Sequence, residues 1–435
     1  MMKKICLIFL FFALLNSCKT VERKIGGRTE INLVMDPDQD ALQEVVIVGY
    51  GQQKKESVVA SIAAVDGETL ERTGGVTNIG SALTGNVPGV VTSASTGMPG
   101  QEDPRILIRG QSTWNNAGPL ILVDGVERPM SSVAIGSVES ISVLKDASAT
   151  AVYGVRGANG VILITTKRGE KGKAIIRARV NTIVKVPSKL PGKYDAYDAL
   201  RVKNEAIENE LALNPNAWND YLPLDIIDKY RNPANLEERE RYPNVDWANT
   251  LFREYAMSYN ANVNVSGGTD FVKYFTTADF LREGDLMRDY DNGRGYDPGY
   301  AFNRLNVRGN LDFQITPSTL FQVNLAGSHG VRKSPWSTAN EYTRWLAAYS
   351  TAPDAFLPRY ADGAWGYYAP NEGAASNSVR TLAISGIQYI TTTRLTTNFT
   401  LDQDLDFILD GLNFNGTIAL DNTFVEADRG INDQY

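Results

Sequence analysis

The side chains that carry most protein chemistry are scarce in this chain of 435 residues. It contains one histidine, His329, and two cysteines, Cys6 and Cys18. Structural zinc sites take four Cys or His ligands, and a Ser-His-Asp triad would depend on His329 alone. Aspartate and glutamate are common, 50 in all, so a glycosidase-like pair of carboxylates is formally available, but no spaced pair stands out. We therefore expect no enzymatic activity and no metal or other cofactor.

The charge and hydropathy of the chain also limit the function classes. The formal net charge is −7, whereas nucleic-acid-binding domains usually carry clustered Lys and Arg. We therefore expect no nucleic-acid partner. After residue 20 the sequence contains no apolar run of the roughly 20 residues that a membrane helix needs. The class of protein thus depends on whether β-strands of the chain face lipid.

The first 18 residues have the pattern of a secretory signal peptide, with Lys3 and Lys4 before an apolar stretch over residues 5–15. The stretch is followed by the tetrapeptide LNSC, which resembles the lipobox of bacterial lipoproteins. In a lipobox the cysteine thiol, here that of Cys18, is acylated and becomes the new N-terminus. The alternative is an ordinary signal peptide with an unrelated cysteine nearby. The mature chain would keep at most one cysteine, so we expect no internal disulfide.

Residues 42–56 begin with LQEVVIVGYG, a compact run of β-branched residues followed by glycine and then by polar residues. The run indicates a single strand without an obvious hairpin partner. An unpaired strand can add to the edge of another chain's sheet through its backbone hydrogen bonds. The alternative is that this strand is the first strand of the domain that follows.

Residues 57–170 alternate short apolar runs with Gly, Asn and Pro, which predicts an α+β domain. Residues 106–110 and 120–126 read as buried strands, and Asp124-Gly125 is a turn signal after the second. The densest segment is residues 140–169, where Asp146 is a candidate N-cap of a short helix that would stop at Gly154. Asn159-Gly160 marks a turn directly before a further strand, VILITT.

From residue 174 onward the pattern changes to long segments in which apolar and polar residues alternate. The clearest alternating segments are residues 305–315, 321–325, 395–407 and 412–421. Segments of about ten residues with one apolar and one polar face are typical of transmembrane β-barrels, whereas strands of soluble sandwiches usually have about five or six residues. Two aromatic-rich insertions, residues 187–255 and 334–387, are expected to be extracellular loops.

These segments together resemble the SusC/RagA family of TonB-dependent outer-membrane receptors, most closely in residues 42–55, 105–126 and 140–169. The resemblance implies an α+β plug domain over residues 57–170 and then a mainly antiparallel transmembrane β-barrel over residues 171–435. It implies that residues 42–56 are the TonB-box region, captured by TonB as an added strand. The expected TonB-contact residues are Glu44, Val45, Val46, Ile47, Val48, Gly49 and Tyr50. Residues 19–41 read as a linker that keeps a remnant of the last strand of a carboxypeptidase-regulatory-like domain.

The resemblance also places the plug loop 111–119 on the ligand side, where Trp114, Asn115 and Asn116 could touch the ligand. The alternative is a solvated loop with a packing tryptophan. The same choice between sugar stacking and loop packing applies to the aromatic residues of the later insertions. Arg156 and Arg168 are expected to contact the barrel wall.

The implied partners are TonB with its energy supply ExbB/ExbD, a SusD-like lipoprotein, a glycan or peptide ligand and outer-membrane lipid. About eight strands can be read after residue 173, whereas transporters that enclose a plug have about 22. We therefore expect the chain to be the N-terminal part of a larger receptor in the outer membrane.

Three other functions stay open at the level of sequence. A lipid-anchored periplasmic or surface β-rich binding protein without transport would bury the apolar faces near residues 305–315 and 395–407 against each other. A receptor that only signals would usually need an extra N-terminal domain. A carbohydrate-active enzyme is disfavoured by the scarcity of histidine and of paired carboxylates.

Overall fold

A computed structural model describes most of the chain. The described residues are 45–48, 51–54, 62–72, 78–93, 97–101, 104–111, 118–187, 192–291, 293–336, 350–367 and 377–429. All of them belong to one compact unit, Val45–Tyr435.

The first described element is a short antiparallel hairpin. Strand β1 (Val45–Val48) pairs with β2 (Gly51–Lys54), so that Val45 lies opposite Lys54 and Val48 opposite Gly51. The sequence predicted a strand without a hairpin partner, and that part of the prediction is wrong. Within the described residues, this two-stranded sheet is separate from the sheet of the following domain.

Residues 62–169 form a small α+β domain, which we call the plug. A five-stranded sheet has the order β3-β8-β9-β6-β7 and is antiparallel except for the pair β6–β9, while β4 and β5 pair separately. The strands are β3 (Ile62–Asp66), β4 (Val90–Ser93), β5 (Arg105–Ile108), β6 (Leu120–Val123), β7 (Val126–Glu127), β8 (Val138–Leu144) and β9 (Val161–Thr166). The helices are α1 (Gly67–Arg72), α2 (Ile79–Ala82) and α3 (Ala147–Thr150).

The core of the plug lies between this sheet and the first two helices. Ile141 on β8 and Ile162 on β9 are fully buried and pack with Leu70 of α1 and Ile79 of α2. Fully burying one such side chain contributes about 1.5–3 kcal/mol. The strands of the plug therefore contribute to its stability by burying their apolar side chains against α1 and α2.

Local turn chemistry in the plug agrees with the sequence in most places. Asp124 and Gly125 both have positive φ, 49° and 83°, as a two-residue turn between β6 and β7 requires. Asn78 caps α2 by accepting a hydrogen bond from the backbone N–H of Ser81 at 2.8 Å. Asp146 occupies the N-cap position of α3 but makes no capping hydrogen bond. Its carboxylate instead lies 2.5 Å from the guanidinium of Arg109.

Beyond the plug, seven long strands form one antiparallel sheet in which each strand pairs with the next along the chain; we call it the barrel sheet. The described residues contain seven such strands. The alternation of apolar and polar residues predicted about eight. The strands are β10 (Gly172–Lys185), β11 (Ala256–Gly268), β12 (Val272–Glu283), β13 (Ala301–Thr316), β14 (Thr319–Trp336), β15 (Gly386–Asp404) and β16 (Asn413–Arg429).

The connections of the barrel sheet are very unequal in length. At one end the strands are joined by residues 269–271, 317–318 and 405–412; at the other end residues 186–255, 284–300 and 337–385 intervene. Long loops on outer-membrane barrels are extracellular, so we call the second end the outer end. The long connections contain α4 (Ala196–Glu210), α5 (Leu224–Lys229), α6 (Leu236–Arg241), α7 (Trp247–Leu251) and α8 (Ser378–Ile384). Among the described helices none is long and apolar enough to cross a membrane.

The long connections share an apolar cluster at the outer end. The rings of Trp247 and Phe356 pack edge to face with centroids 5.2 Å apart, and the indole of Trp247 donates to the Ala352 carbonyl at 3.1 Å. Met98 of the plug is buried in the same cluster. Trp365 packs against it and carries the guanidinium of Arg359 over its ring. Trp365 is therefore a loop-packing residue.

The joint between plug and barrel sheet leaves no space for a side chain at Gly169. A Cβ atom built on Gly169 would overlap the backbone nitrogen and oxygen of Tyr274 on β12. We predict that Gly169→Ala lowers the free energy of unfolding by about 1–3 kcal/mol, because the backbone of one of the two segments must move. Thermal unfolding of the purified protein measures the change. Gly309→Ala on β13 is the control, since nothing lies within 4 Å of its added Cβ, and an equal loss in both variants would contradict the prediction.

The loop after β12 should be sensitive to pH. Burial raises the pKa of Asp285 to about 7, and its Oδ2 has no hydrogen-bond partner among the described residues. The folded loop therefore holds a proton that the unfolded chain releases near pH 3.8, so its stability falls as the pH rises from about 4 to about 7. We predict that protease cleavage within residues 284–300 increases over this range and that Asp285→Asn flattens the dependence. The same slope in both proteins would show that Asp285 is not responsible.

Candidate functional site: the interface between plug and barrel sheet

The two faces of the barrel sheet differ in chemistry as the alternation predicts. On β13, Asn306, Arg308 and Asn310 are buried, whereas Leu305 and Val307 between them are 45% and 47% exposed. The neighbouring strands repeat this arrangement: the buried polar side chains include Asn324, Ser328 and Asn398, and the exposed apolar ones Leu325, Leu395 and Leu401. The plug contacts the polar face.

The same exposure bears on the β-sandwich alternative. That fold would bury the apolar faces near residues 305–315 and 395–407 against each other, but Leu305, Leu395 and Leu401 are all more than a third exposed. His329, the one histidine of the chain, lies on this exposed face and shares a 2.9 Å hydrogen bond with Thr393.

A buried ion pair lies near the middle of the interface. The guanidinium of Arg308 on β13 is 3.2 Å from Asp124 Oδ2 in the β6–β7 turn, and the two side chains are only 5% and 7% exposed. Asp124 also accepts hydrogen bonds from the Thr166 backbone at 3.0 Å and the Thr166 hydroxyl at 2.9 Å. Asn310, two residues along β13, donates to Thr166 Oγ1 and to the Lys167 carbonyl. The turn and the end of β9 are thus fixed to one strand of the wall.

A second buried arginine joins the plug to the last two strands. Arg128 follows β7 and donates to both carboxylate oxygens of Asp421 on β16, at 2.6 and 2.8 Å, and to Asn398 Oδ1 on β15 at 2.6 Å. Its side chain is 3% exposed. The fork geometry of arginine suits this bidentate contact with a carboxylate.

The end of the plug forms further ion pairs with the wall. Arg168 pairs with Asp312 on β13, which confirms the expected wall contact. Arg156 pairs with Glu127 inside the plug, and the wall contact expected of Arg156 is not seen among the described residues. Glu71 of α1 links the two domains, because it lies 2.8 Å from Lys167 Nζ and also pairs with Arg179 on β10.

At the outer end the plug contacts the wall through backbone atoms and one serine. The backbone N–H of Gly100 donates to Glu283 Oε2 at 2.7 Å. Arg304 donates to the carbonyl of Ser131 at 3.3 Å, and Arg394 to its hydroxyl at 3.5 Å. Four inward-facing residues of β13, at positions 304, 308, 310 and 312, thus contact the plug.

A large cavity lies between the plug and β10–β12, with a volume of about 900 Å³. Its wall includes Asn260, Asn262 and Asn264, which follow one another on the inner face of β11. Amide side chains both donate and accept hydrogen bonds, so this wall suits water and polar solutes.

Most of the described contacts between plug and barrel sheet are polar. Replacing a buried ion pair by apolar groups of similar volume is often neutral or stabilising, because desolvation offsets the attraction of the charges. A polar interface within a chain therefore fixes the position of a domain without the large apolar area that would prevent relative motion.

Most of the sequence-predicted site residues lie outside the described residues. This applies to Cys18, to Glu44, Gly49 and Tyr50, and to Trp114, Asn115 and Asn116; their roles stay predictions. Val45, Val46, Ile47 and Val48 form β1, as a strand offered to TonB requires, and their contact with TonB stays a prediction.

Sequence reasoning missed the residues that hold the plug. The sequence predicts Asp124 only as a turn residue and gives no signal at Arg128. Arg308, Asp312 and Asp421 lie on the polar face of alternating segments, so their direction could be predicted. Their partners are far away in sequence and could not.

The central ion pair can be tested with a double-mutant cycle. Arg308→Met and Asp124→Asn each leave one buried charge without its partner, and we predict that each costs about 3–5 kcal/mol. Asparagine keeps the positive φ that the turn needs. The double variant should lose less than either single variant, because no unpaired charge remains. Denaturant unfolding of the purified protein measures the three values.

Arg156→Met is the matched control for this cycle, since its ion pair with Glu127 is exposed, with side chains 65% and 48% accessible. Exposed pairs contribute about 0–1 kcal/mol. Additive losses in the double variant, or a loss in the control as large as that of Arg308→Met, would contradict a coupled buried pair.

Comparison with known proteins gives the family. A family model described as the TonB-dependent Receptor Plug Domain matches residues 54–161. SusC, a TonB-dependent receptor of Bacteroides thetaiotaomicron, is 34% identical over 256 residues, which are 56% of this chain and 23% of SusC. TonB-dependent receptor P26 of Formosa agariphila is 30% identical over 269 residues, 60% of this chain and 25% of P26. The chain thus spans about a quarter of the length of these relatives.

Solved structures share the fold. The RagAB peptide importer in its open-open state superposes with a TM-score of 0.67 at 22% identity, covering 88% of this chain and 43% of that one. Its closed-closed state gives a TM-score of 0.65 at 21% identity, covering 85% and 42%. The relatives are receptors and not enzymes. With its plug seated on the polar face of an antiparallel barrel sheet, the chain carries the plug domain of TonB-dependent receptors and is similar to the outer-membrane receptors of the SusC and RagA type over the part that it spans.

Proposed function

We propose that this receptor imports oligosaccharides or peptides across the outer membrane, with energy supplied through TonB and with a SusD-like lipoprotein as partner. One observation carries the proposal. A folded plug rests on the polar face of long strands whose other face is apolar and exposed, which is the arrangement of a gated pore in lipid. A protein that only bound ligand at the surface would not need a plug held by polar contacts.

The proposed energy coupling begins at β1. TonB would pair with this strand, either at its free edge or in place of β2, and pull on the chain that leads to the plug. The first plug strand, β3, is an edge strand that, among the described residues, pairs only with β8. A pull from the N-terminal side would therefore detach β3 first, without opening the centre of the sheet.

Detaching β3 would act directly on the wall contacts. Helix α1 follows β3 without a break, and its Glu71 pairs with both Lys167 and Arg179. Moving β3 and α1 would separate Glu71 from these partners and free the side of the plug that borders the large cavity. The path for cargo would then run along the asparagine side chains of β11.

The proposed cargo classes come from a solved structure with the same fold and from the lining of the large cavity. The solved structure with the same fold is described as a peptide importer, and the cavity beside the plug is lined by amides that can pair with sugar hydroxyls or peptide groups. No observation favours one class over the other. The SusD-like partner and the ExbB/ExbD energy supply are proposed from the family alone.

The role of β1 can be tested with two proline variants at directly paired positions, Ile47 and Gln52. Proline removes a backbone N–H and fixes φ, so both variants break the hairpin, but only Ile47→Pro damages the strand offered to TonB. We predict that Ile47→Pro weakens binding of the purified periplasmic domain of TonB by tenfold or more and abolishes uptake, because each lost backbone hydrogen bond contributes about 1 kcal/mol.

Gln52→Pro is the matched control. It should bind TonB at least as well as the wild type, because it frees β1 from β2 and leaves the backbone donors and acceptors of β1 unchanged. If both prolines leave TonB binding unchanged, β1 is not the TonB contact. If ligand binds but is never taken up by the wild-type receptor, the alternative of a surface binding protein without transport gains the advantage.

A further inference from the structure

The three long connections at the outer end pack into one body, which we call the outer cap. It consists of the described residues of 186–255, 284–300 and 337–385. The first connection is tied to the third, because the backbone N–H of Val245 donates to the Pro353 carbonyl at 2.9 Å. It is tied to the second by a hydrogen bond from the backbone of Arg253 to that of Leu286 at 2.7 Å. Backbone contacts thus join the connections in addition to their shared apolar cluster.

The apolar cluster of the cap draws on all three connections, through residues such as Trp247, Met287 and Phe356. Among the described residues, the plug contributes one buried member, Met98, whose exposed fraction is 2%. Pro99, the next residue, is also buried. A side chain of the plug therefore completes the core of a body that otherwise belongs to the barrel loops.

The sequence of plug residues 98–101, Met-Pro-Gly-Gln, determines how Met98 is presented. Proline at the second position and glycine at the third are preferred in a type II turn, because the third residue has positive φ. The structure has this turn: the backbone N–H of Gln101 donates to the Met98 carbonyl at 3.1 Å, and φ of Gly100 is 71°. The N–H of Gly100 takes no part in closing the turn and donates to Glu283 Oε2 at 2.7 Å.

The turn lies at the base of the second connection. Glu283 ends β12 and is the direct partner of Phe302 on β13, so residues 284–300 leave and rejoin the sheet beside the turn. The turn contacts both partners, since Glu283 accepts the Gly100 hydrogen bond and a Cβ added to Gly100 would lie 2.6 Å from the ring of Phe302. The plug therefore touches the cap in its core, through Met98, and at its base, through Gly100.

We propose that plug and outer cap form an interlock, in which the seated plug stabilises the closed cap and the closed cap holds the plug in its seat. The use of the interlock in transport rests on the import function proposed above. A pull on the plug toward the short turns withdraws Met98 from the cluster and leaves the core of the cap unfilled, which destabilises the closed cap.

The interlock acts in both directions. By thermodynamic linkage, the factor by which withdrawal of the plug favours opening of the cap is also the factor by which opening of the cap favours withdrawal of the plug. Cargo that binds better to an open cap would therefore loosen the plug at its outer end before TonB pulls. A loop that merely covered the plug would show no such reciprocity, and this difference can be measured.

The test is amide hydrogen exchange of the intact receptor in detergent, because the exchange of protected amides follows the equilibrium of local opening. The cap is monitored at Thr250 and Phe252, whose amides donate to backbone carbonyls at 2.9 Å in and beside α7. Met98→Ala changes only the plug but removes a buried side chain from the cluster. We expect the two cap amides to exchange about tenfold faster or more in this variant.

The reciprocal variant is Phe356→Ala, which changes only the cap. The plug is monitored at Gly100 and Gln101, whose amides donate to Glu283 and to the Met98 carbonyl. We expect these two plug amides also to exchange about tenfold faster or more, because Phe356 is fully buried in the cluster that holds Met98.

Each side has a matched control. Met130→Ala removes the same side chain from the plug's own core, so it should speed exchange within the plug and leave the cap amides unchanged. Ile227→Ala removes a fully buried side chain of α5 in the first connection, outside the described members of the cluster, and should leave the amides of the turn unchanged. Met98→Leu keeps a side chain of similar volume and should exchange like the wild type.

The proposal is overturned if Met98→Ala leaves the cap amides unchanged, or if Phe356→Ala leaves the turn amides unchanged. It is also overturned if Met130→Ala speeds exchange in the cap as much as Met98→Ala, since the cap would then respond to any loss of plug stability. Phe356→Leu, a smaller truncation with the same expected direction, takes the place of Phe356→Ala if that variant does not fold. These results leave the import function untouched, because TonB binding to Ile47→Pro and Gln52→Pro tests it separately.

Discussion

A charge that is buried between two domains has to meet its counter-charge there, and this requirement sets the position of the plug. Asp124 lies in a tight turn, and Arg308 lies at one position of a long strand; both are almost inaccessible to solvent. A shift of β13 by one residue would turn Arg308 to the outer face and leave Asp124 as an unpaired buried charge. The register of β13 and the position of the plug are therefore fixed by the same contact. The ion pair of Arg128 with Asp421 fixes the plug to β16 in the same way.

The contacts change in kind from one end of the plug to the other. Toward the short turns they are ion pairs, that of Arg168 with Asp312 on β13 and that of Glu71 with Arg179 on β10. At the outer end they include the apolar anchor of Met98, buried with Trp247 and Phe356, and the backbone contact of Gly100 with Glu283. Apolar contacts lose their stabilisation when water enters, whereas charged groups are readily solvated. The end held by ion pairs is thus the end that parts at lower cost.

Local rules explain what the sequence could predict. Alternation with a period of two identified the barrel strands and the face of each side chain, because the period depends on neighbours in sequence. The Asp124-Gly125 turn followed from backbone preferences alone. The partners of Asp124 and Arg128 could not be predicted, because they lie 184 and 293 residues further along the chain. The order and tilt of the barrel strands decide which residues meet at that separation. Asp146 shows the same limit on a small scale. It lies at the predicted N-cap position of α3, but its carboxylate pairs with Arg109 instead of capping the helix.

The two arginines of residues 156 and 168 show why residue type alone does not define a wall contact. Both follow helix α3 in sequence, Arg156 before β9 and Arg168 after it. Arg168 leaves the sheet at the joint with β10, where Asp312 is within reach, whereas Arg156 precedes β9 and meets Glu127 after β6 has turned into β7. The plug meets the barrel sheet where the chain passes from one domain to the other, where the Asp124 turn projects from the sheet, and where Glu71 of α1 and Arg128 after β7 reach strands of the wall. The position of a residue in the fold, and not its charge alone, therefore decides whether it contacts the wall.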